Sequence, residues 1–181
     1  MERHPGLLAL LERCPPACAP EDVEFKARPL RQSVHLTPDE LPDELITSVR
    51  VLVLVDDSIV VCTNRDGGSH VWPGGHREPG ETLVETACRE VHEETGWQLD
   101  PSSVEPIGFL LITNSGEPHP PYPHPDSIHA VVVGRAHERA AEEWTDTEGW
   151  EVSSVLAPLG ELDVEVERLC HPFLELLRAR A

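Results

Sequence analysis

Apolar residues in the middle of the chain form continuous runs instead of alternating with polar ones. Residues 51–55 are Val, Leu, Val, Leu and Val, and a second apolar run at residues 59–62 follows an Asp-Asp turn. A strand that is apolar at every position is usually covered on both faces. The two runs therefore predict a hairpin in a sheet with helices on both sides. Further strands are expected at residues 33–36, 104–113 and 127–133.

A helix is predicted to start near Thr82. Pro79 and Gly80 suit a turn, Thr82 and Glu85 have the spacing of a capping box, and Gly96 can supply the left-handed residue that ends a helix. At about 100° per residue, one face of this helix is apolar and must pack on a core. That face consists of Leu83, Val84, Ala87, Cys88 and Val91.

The two ends of the chain carry shorter helical patterns. Residues 1–31 are predicted to form an N-terminal helical arm, in which Pro5 suits the first turn, and residues 32–181 a single domain. The arm is expected to cover a sheet edge or a dimer surface. Near the C terminus the helical period continues across Pro172, which predicts a kinked closing helix. Its apolar face consists of Val166, Leu169, Cys170, Phe173, Leu174 and Leu177.

Three glutamates lie on one edge of the helix predicted near Thr82. Glu90, Glu93 and Glu94 are neighbours on a helical surface, so their carboxylates repel one another. Such hard oxygen ligands suit Mg²⁺ or Mn²⁺ together with the phosphate oxygens of a substrate. The alternative is an ordinary solvated acidic face.

The net charge narrows the choice of partners. The chain has 181 residues, with 14 basic and 33 acidic side chains and a net charge of −19. This charge argues against a nucleic-acid polymer or an anionic membrane as partner. It would also repel a polyphosphate, so a divalent metal ion must bridge such a substrate to the protein.

No apolar segment reaches the ~20 residues of a membrane span, and five scattered cysteines do not suggest a disulfide framework. A cytoplasmic protein is therefore expected.

The glutamates belong to a longer pattern with fixed spacing. In residues 75–97 the order is Gly75, five residues, Glu81, seven residues, Arg89-Glu90-Val91, one residue, Glu93-Glu94, one residue, Gly96 and Trp97. This pattern resembles the signature of the Nudix (MutT-like) hydrolases at every position. The resemblance implies an α/β protein with the Nudix fold, an α/β/α sandwich with a mixed curved sheet, over about residues 33–177.

The resemblance also implies a reaction and a set of roles. A Nudix hydrolase cleaves a nucleoside diphosphate linked to another moiety, here a nucleoside triphosphate or a dinucleotide such as NADH. Glu90, Glu93 and Glu94 would hold Mg²⁺, with Mn²⁺ as the alternative, and Glu93 or a later acid would accept a proton from water. Glu81 would support the site, and Arg89 would hold the glutamate cluster in place.

Two other stretches supply further candidates. Nudix enzymes often bring one more acidic residue from a later part of the chain. Glu143 is favoured for this role, with Glu142 and Glu148 close behind, although a solvated acidic loop is an equal alternative for each. Before the helix, two successive glycines let the backbone approach a ligand closely, so Gly75 is a candidate substrate contact.

The proline-rich stretch at residues 117–126 predicts a stiff, extended loop. It is either a plain surface loop or a substrate wall, with Tyr122 stacking on a base and His124 or His129 meeting phosphate. Residues 121–127 are also similar to the proline-aromatic-proline signature of NADH-pyrophosphatase-type Nudix enzymes. This match is partial, because His124 replaces an aromatic residue and the four-cysteine zinc site of that group is absent from the sequence.

Other functions stay open at this point. A Nudix fold can serve as a non-catalytic nucleotide-binding sensor, although such relatives usually lose signature glutamates that this chain keeps. Isoprenoid diphosphate isomerases share the fold but depart from the complete signature. Markers typical of ADP-ribose, diadenosine polyphosphate and coenzyme A enzymes are not at their usual positions. A small-molecule nucleotide is the expected partner, and a homodimer is compatible with the resemblance.

Overall fold

The structure, a computed structural model, describes residues 2–139, 149–162 and 166–180. These residues contain three α-helices and nine strands. The helices are α1 (Pro5–Arg13), α2 (Leu83–Thr95) and α3 (His171–Arg180). The strands are β1 (Glu21–Phe25), β2 (Arg28–Leu36), β3 (Ile46–Val55), β4 (Ser58–Asn64), β5 (Ser69–His70), β6 (Trp97–Leu99), β7 (Glu105–Asn114), β8 (Asp126–Arg139) and β9 (Glu151–Pro158).

The strands form a mixed, curved sheet, as expected. Its order is β1, β2, β7, β8, β3, β4 and β5, with β6 paired to β8 and β9 paired to β4. β3 and β8 run parallel, whereas β2, β7 and β8 are joined by antiparallel pairs. β4 pairs with β3 only beside their turn and then pairs with β9 along its whole length. This change of partner curls the sheet around the side chains on one of its faces.

Alternating side chains of the central strands point to two opposite helical layers. Val51 and Val53 of β3 pack in one cluster with Val91 of α2. Leu52 lies between them in the chain but packs in the cluster that contains Phe173 of α3. The run at residues 51–55 is therefore apolar throughout because both of its faces are covered, and the predicted α/β/α sandwich is confirmed.

The N-terminal helix is part of the core. Leu7 and Leu10 of α1 are 0% and 2% exposed, and they pack with Phe109 of β7 and Ile128 of β8. Ala130, two residues after Ile128, lies in the same cluster. Val132, two residues further along β8, faces the same side of the sheet and packs in the cluster that contains α2. α1 and α2 therefore share one face of the sheet, and α3 covers the other.

The sheet begins earlier than the sequence analysis predicted. β1 starts at Glu21 and pairs with β2 in an antiparallel hairpin, so the helical-arm prediction is wrong for residues 21–31, and its boundary falls inside β2. The turn residues Lys26 and Ala27 have positive φ angles of 51° and 59°. Turns of this kind are usually marked by Asn-Gly or Asp-Gly, so the sequence carries no signal for this hairpin.

The closing helix is shorter than predicted and has no kink at its proline. A 3₁₀ turn at Arg168–Cys170 comes first, and α3 then begins at His171. Pro172 lies in the first turn of α3, where its missing amide costs no helical hydrogen bond. The predicted kink is therefore wrong, whereas the predicted apolar face is buried, as Phe173, Leu174 and Leu177 show.

All five cysteines are free thiols. In the parts of the chain that the structure describes, no helix combines the length and the apolar character needed to cross a bilayer.

Candidate active site

The predicted caps of α2 are present at both ends. The Thr82 hydroxyl accepts a hydrogen bond from the Glu85 amide at 3.2 Å, and the Glu85 carboxylate accepts one from the Thr82 amide at 2.8 Å. Gly96 follows the helix with a left-handed φ of 72°. The caps fix where the helix starts and stops, and hence which way its glutamates face.

Arg89 holds the signature glutamates together. Its Nε and Nη2 donate to the two oxygens of Glu81 at 2.8 and 3.0 Å. Its Nη1 donates to Glu90 at 2.8 Å and to Glu93 at 3.0 Å. Nη2 also donates to the backbone carbonyl of His76 at 2.9 Å. One planar guanidinium thus orients three carboxylates and the loop before the helix, a geometry that the single ammonium of lysine cannot reproduce.

Glu81 is bound on all sides by groups that keep it ionised. The hydrogen bonds from Arg89 are the main reason that the pKa of Glu81 falls to about 2. The amide of Glu78 and the hydroxyl of Thr86 also donate to Glu81, at 3.0 and 2.9 Å. Glu81 therefore carries a permanent negative charge that anchors Arg89.

Glu90 and Glu94 are the carboxylates of the cluster that burial affects most. Burial raises the pKa of Glu94 to about 8, because its effect exceeds that of the Gly74 amide, which donates to Glu94 at 2.6 Å, and of the nearby Arg50. Burial also raises the pKa of Glu90 in spite of its contact with Arg89. Removal from water is thus the largest influence on both carboxylates, ahead of their contacts with Arg89, Arg50 and the Gly74 amide.

Two glycines bring the backbone against these carboxylates. Gly74 has a φ of +147°, and a Cβ at this position would lie 2.1 Å from the Val49 carbonyl oxygen. A Cβ on Gly75 would lie 2.6 Å from both carboxylate oxygens of Glu90. The Val49 amide donates to the Gly75 carbonyl at 3.0 Å, which holds the segment beside β3. A side chain at position 74 would therefore collide with the backbone of β3, whereas a side chain at position 75 would collide with the Glu90 side chain.

The chemistry of these donors fits a divalent cation. Carboxylate oxygens are the ligands that Mg²⁺ and Mn²⁺ prefer, and a bound cation would favour the ionised form of the buried Glu90 and Glu94 carboxylates. Within residues 2–139, 149–162 and 166–180, no three acidic, histidine or cysteine side chains already converge as a ligand set. Glu93 instead contacts Arg89, and Glu94 contacts the Gly74 amide. The metal ligands Glu90, Glu93 and Glu94 stay a prediction.

Glu151, an acid that the sequence analysis did not single out, lies near this cluster. It is the first residue of β9, it is 5% exposed, and its Oε1 lies 2.8 Å from Nε2 of the buried His70. Its negative charge also contributes to the raised pKa of Glu94. A buried carboxylate this close to the signature helix is a candidate for the additional acid.

The acids favoured from sequence, Glu143 and its alternatives Glu142 and Glu148, lie outside the described residues. The role of Glu143 therefore stays a prediction. The available signal for Glu151 was its position directly after Trp150 at the start of a strand. The acids predicted for this role, Glu142, Glu143 and Glu148, all precede that tryptophan.

A cavity of about 450 Å³ is linked to the glutamate cluster by Arg50, although no signature glutamate is part of its lining. Arg50 lines it and donates from Nη1 to the carbonyl of Gly74, the residue whose amide binds Glu94. His129, also in the lining, is neutral: burial lowers its pKa to about 3, and the positive charges of Arg50 and His76 act in the same direction. The size suits a nucleoside-sized group, and Gln32, His70 and Trp72 also line the wall.

The proline-rich loop reaches the signature through Tyr122. The Tyr122 hydroxyl lies 2.8 Å from Nε2 of His76, whose carbonyl is bound by Arg89. The structure does not connect His124 to the signature in this way: its Nδ1 is buried without a hydrogen-bond partner among the described residues. The substrate-binding roles of Gly75, Tyr122 and His124 stay predictions.

The chain was compared with protein-family models and with solved structures. The family model described as "NUDIX domain" matches residues 45–175, which is most of the chain. Among solved structures, a Bacillus subtilis pyrophosphohydrolase, BsRppH, superposes with a TM-score of 0.60 at 18% identity, over 88% of this chain and 97% of that one. A NUDIX hydrolase from Nitrosomonas europaea gives 0.55 at 20% identity, over 75% and 88%. At sequence identities of 18% and 20%, these two structures support the assignment of the fold and nothing further.

Relatives that are similar in sequence match over a shorter stretch. An RNA pyrophosphohydrolase of Legionella pneumophila is 42% identical over 59 residues, which are 32% of this chain and 33% of that protein. The m7GpppN-mRNA hydrolase NUDT17 of Xenopus laevis is 38% identical over 86 residues, or 44% and 29% of the two chains. The matched stretch thus spans about a third of the length of these curated relatives.

Proposed function

The chain belongs to the NUDIX-domain family, and from this premise we propose that it is a metal-dependent pyrophosphohydrolase, a Nudix-type hydrolase of phosphoric anhydride bonds. Its substrate would be a nucleoside diphosphate linked to another moiety, such as a nucleoside triphosphate or a dinucleotide. The observation that carries this proposal is the pair of shielded carboxylates, Glu90 and Glu94. Burial raises the pKa of both, and a divalent cation placed between them would favour their ionised forms.

Mg²⁺ is the expected cation, with Mn²⁺ as the alternative. Glu90, Glu93 and Glu94 would hold it, and once bound it would neutralise the pyrophosphate and acidify a coordinated water. Arg89 keeps Glu90 and Glu93 side by side, and Glu81 keeps Arg89 in place. These contacts preorganise the ligands before substrate arrives.

Glu93 is the favoured proton acceptor. Its side chain is 36% exposed, compared with 10% for Glu90, so it can reach a water molecule beside the substrate. Glu151 is the second candidate, because it is buried close enough to Glu94 for its charge to affect the pKa of that residue. A base of either kind typically contributes a factor of about 10²–10⁴ in rate.

The cavity supports binding of the nucleoside part of the substrate. Arg50 in its lining donates to the Gly74 carbonyl beside the carboxylates and offers a cationic group for a phosphate oxygen. This guanidinium matters because the net charge of −19 otherwise repels an anion. The same charge favours a small-molecule nucleotide over a nucleic-acid polymer. A cytoplasmic location and a homodimer stay predictions.

The proposal is tested with a substrate panel. It contains nucleoside triphosphates, NADH, ADP-ribose, nucleotide sugars, dinucleoside polyphosphates and, because a relative is an RNA pyrophosphohydrolase, an RNA with a 5′-triphosphate. Phosphate release is measured after phosphatase or pyrophosphatase treatment, with and without Mg²⁺ or Mn²⁺. Metal-dependent release that Glu93→Gln abolishes would support the hydrolase. Glu175→Gln, on the exposed side of α3, is the matched control.

The alternative, a nucleotide-binding sensor without turnover, predicts a different pattern. The folded protein would bind a nucleotide in the presence of metal but release no phosphate from any member of the panel. The complete set of signature glutamates argues for the hydrolase, because binding alone does not require a general base.

A further inference from the structure

A short stretch of backbone contacts two acids of the candidate site. At its start, Nε2 of His70 lies 2.8 Å from the Glu151 carboxylate, and these two side chains are 8% and 2% exposed. At its end, the Gly74 amide donates to the Glu94 carboxylate at 2.6 Å. Four residues span at most about 13 Å even in extended backbone, so one segment ties Glu151 and Glu94 to the same place in the fold.

Strand β9, which carries Glu151, is fixed against the end of the signature helix. The Ser154 hydroxyl donates to the carbonyl of Thr95, the residue after Glu94, at 3.1 Å, and both Ser154 and Thr95 are buried. Glu151 precedes Ser154 in the same strand, and its charge is close enough to contribute to the raised pKa of Glu94. The backbone therefore brings Glu151 near Glu94, and the contacts of its side chain decide where the carboxylate points.

The His70 ring directs the Glu151 carboxylate. An ionised carboxylate only accepts hydrogen bonds, so the shared proton belongs to Nε2 of His70. The other ring nitrogen, Nδ1, is buried without a hydrogen-bond partner among the described residues, so a proton on it would have no acceptor there. The ring therefore donates toward Glu151. His70 also lines the cavity that contains Arg50, which places the contact between the cavity and the carboxylates.

Packing alone does not account for the pair of His70 and Glu151. Taking an ionised carboxylate out of water is costly, and apolar residues of similar size often fill such a place with equal or greater stability. Val71, the residue after His70, and Ala157 of β9 fill their buried positions with apolar side chains. A polar pair at this point is better explained by the site that it adjoins.

We propose that His70 is a positioning residue that holds the Glu151 carboxylate beside Glu94 in the orientation needed for hydrolysis. This inference rests on the proposed function and adds to it: Glu151 takes part in the reaction, and His70 acts only through Glu151. The change His70→Leu keeps a side chain of similar size in the cavity wall and removes the donor. We therefore expect it to lower kcat while KM stays nearly unchanged.

A double-mutant cycle on a substrate cleaved in the panel tests this dependence at saturating Mg²⁺, with each rate referred to the folded fraction measured by thermal unfolding. We expect His70→Leu to lower kcat about 100-fold, the usual cost of a misplacement of about 1 Å, and Glu151→Gln to lower it by a similar factor. The double variant should be no slower than Glu151→Gln alone, because His70 then has no carboxylate to position. It also leaves no buried Glu151 charge without its partner, so it should fold.

Two single variants and one spectrum complete the test. His70→Gln keeps an amide donor near the position of Nε2, so kcat should recover to within about tenfold of the wild type. His137→Leu removes an exposed histidine from β8, outside the proposed machinery, and should leave kcat unchanged. The ¹⁵N imidazole spectrum should show the Nε2–H form of His70, with signals that shift in Glu151→Gln.

The possible outcomes separate this inference from the proposed function. Wild-type kcat in His70→Leu, or an equal loss when this change is added to Glu151→Gln, would overturn the role of His70 and leave the hydrolase intact. Imidazole signals that do not respond to Glu151→Gln would overturn the contact itself, whether or not the protein turns over. A wild-type protein that cleaves nothing in the panel would refute the proposed function and, with it, the role of His70.

Discussion

Replacing Gly75 by Ala would place a methyl group directly against the Glu90 carboxylate. The added carbon would lie 2.6 Å from both carboxylate oxygens, well inside the ~3.5 Å at which such atoms normally meet. The carboxylate would have to retreat by about 0.9 Å. Since it is the end of a flexible side chain, it can do so without any movement of the backbone, but the 2.8 Å hydrogen bond from Arg89 would be disturbed.

The expected effect of Gly75→Ala is on activity and not on stability. A misplacement of about 1 Å in a reacting constellation costs about 100-fold in rate, so we expect kcat/KM to fall about 100-fold, or ~2.7 kcal/mol of transition-state stabilisation. The free energy of unfolding should fall by no more than about 1 kcal/mol, because no buried contact is lost and no backbone must shift.

Gly74→Ala is the matched control, one residue away. Its Cβ would lie 2.1 Å from the carbonyl oxygen of Val49 and 3.0 Å from Cα of Arg50, at a φ of +147°. Backbone atoms cannot retreat as a side chain can, and the hydrogen bond between Val49 and Gly75 ties the two segments together. We expect Gly74→Ala to lose more than about 4 kcal/mol of stability.

Both variants would be measured by thermal unfolding, by kcat/KM on the best substrate of the panel and by titration with Mg²⁺. Wild-type kcat/KM in Gly75→Ala would refute the argument that the position of the Glu90 carboxylate matters. A loss of stability as large as that of Gly74→Ala would refute the argument that Gly75 is required by a side chain alone.

Three further predictions concern single side chains. Glu93→Gln should lower kcat about a thousandfold with an unchanged melting temperature, because its side chain is 36% exposed; near-normal turnover would contradict its assignment as the base. Arg89→Lys should lower the free energy of unfolding by about 2–3 kcal/mol in urea titrations, because Glu81 loses its bidentate partner; an unchanged midpoint would show that the fork is dispensable. His129 has a pKa of about 3 in the folded protein, below its ordinary 6.5, so below pH 6.5 the unfolded chain takes up a proton that the folded chain does not. Its contribution to stability is complete above pH 6.5 and is lost as the pH falls toward 3, and His129→Gln should remove about 2 kcal/mol of the destabilisation between pH 7 and pH 5. Parallel stability curves for this variant and the wild type would show that His129 titrates normally.

The helix and its carboxylates could be predicted because they depend on residues close together in sequence. The Thr82–Glu85 capping box joins residues three positions apart, and Gly96 ends the helix through its own backbone angle. Glu90, Glu93 and Glu94 lie on one edge because of the helical period alone. The contact of Arg89 with Glu90 and Glu93 is equally local.

The rest of the candidate site joins parts of the chain that are far apart. Glu151 lies near Glu94 only because β9 pairs with β4, and Tyr122 reaches His76 only because the loop before β8 folds over the signature. The two glycines look alike in the sequence, but one faces the carbonyl of Val49 and the other faces Glu90. Distances of this kind follow from strand pairing, which local patterns do not encode.

The sequence alone therefore determined the identity and register of the signature helix, the layers on both sides of the sheet and the presence of three carboxylates along one edge of that helix. It could do so because hydrophobic period, caps and carboxylate spacing act within one or two turns of a helix or along one strand. Only the tertiary structure decided the cost of burial at Glu90 and Glu94, the place of Glu151, the cavity beside Arg50 and the ion pair between Arg3 and Asp126. Each of these depends on long-range packing, because desolvation and ion pairing follow from which distant segments the folded chain brings together.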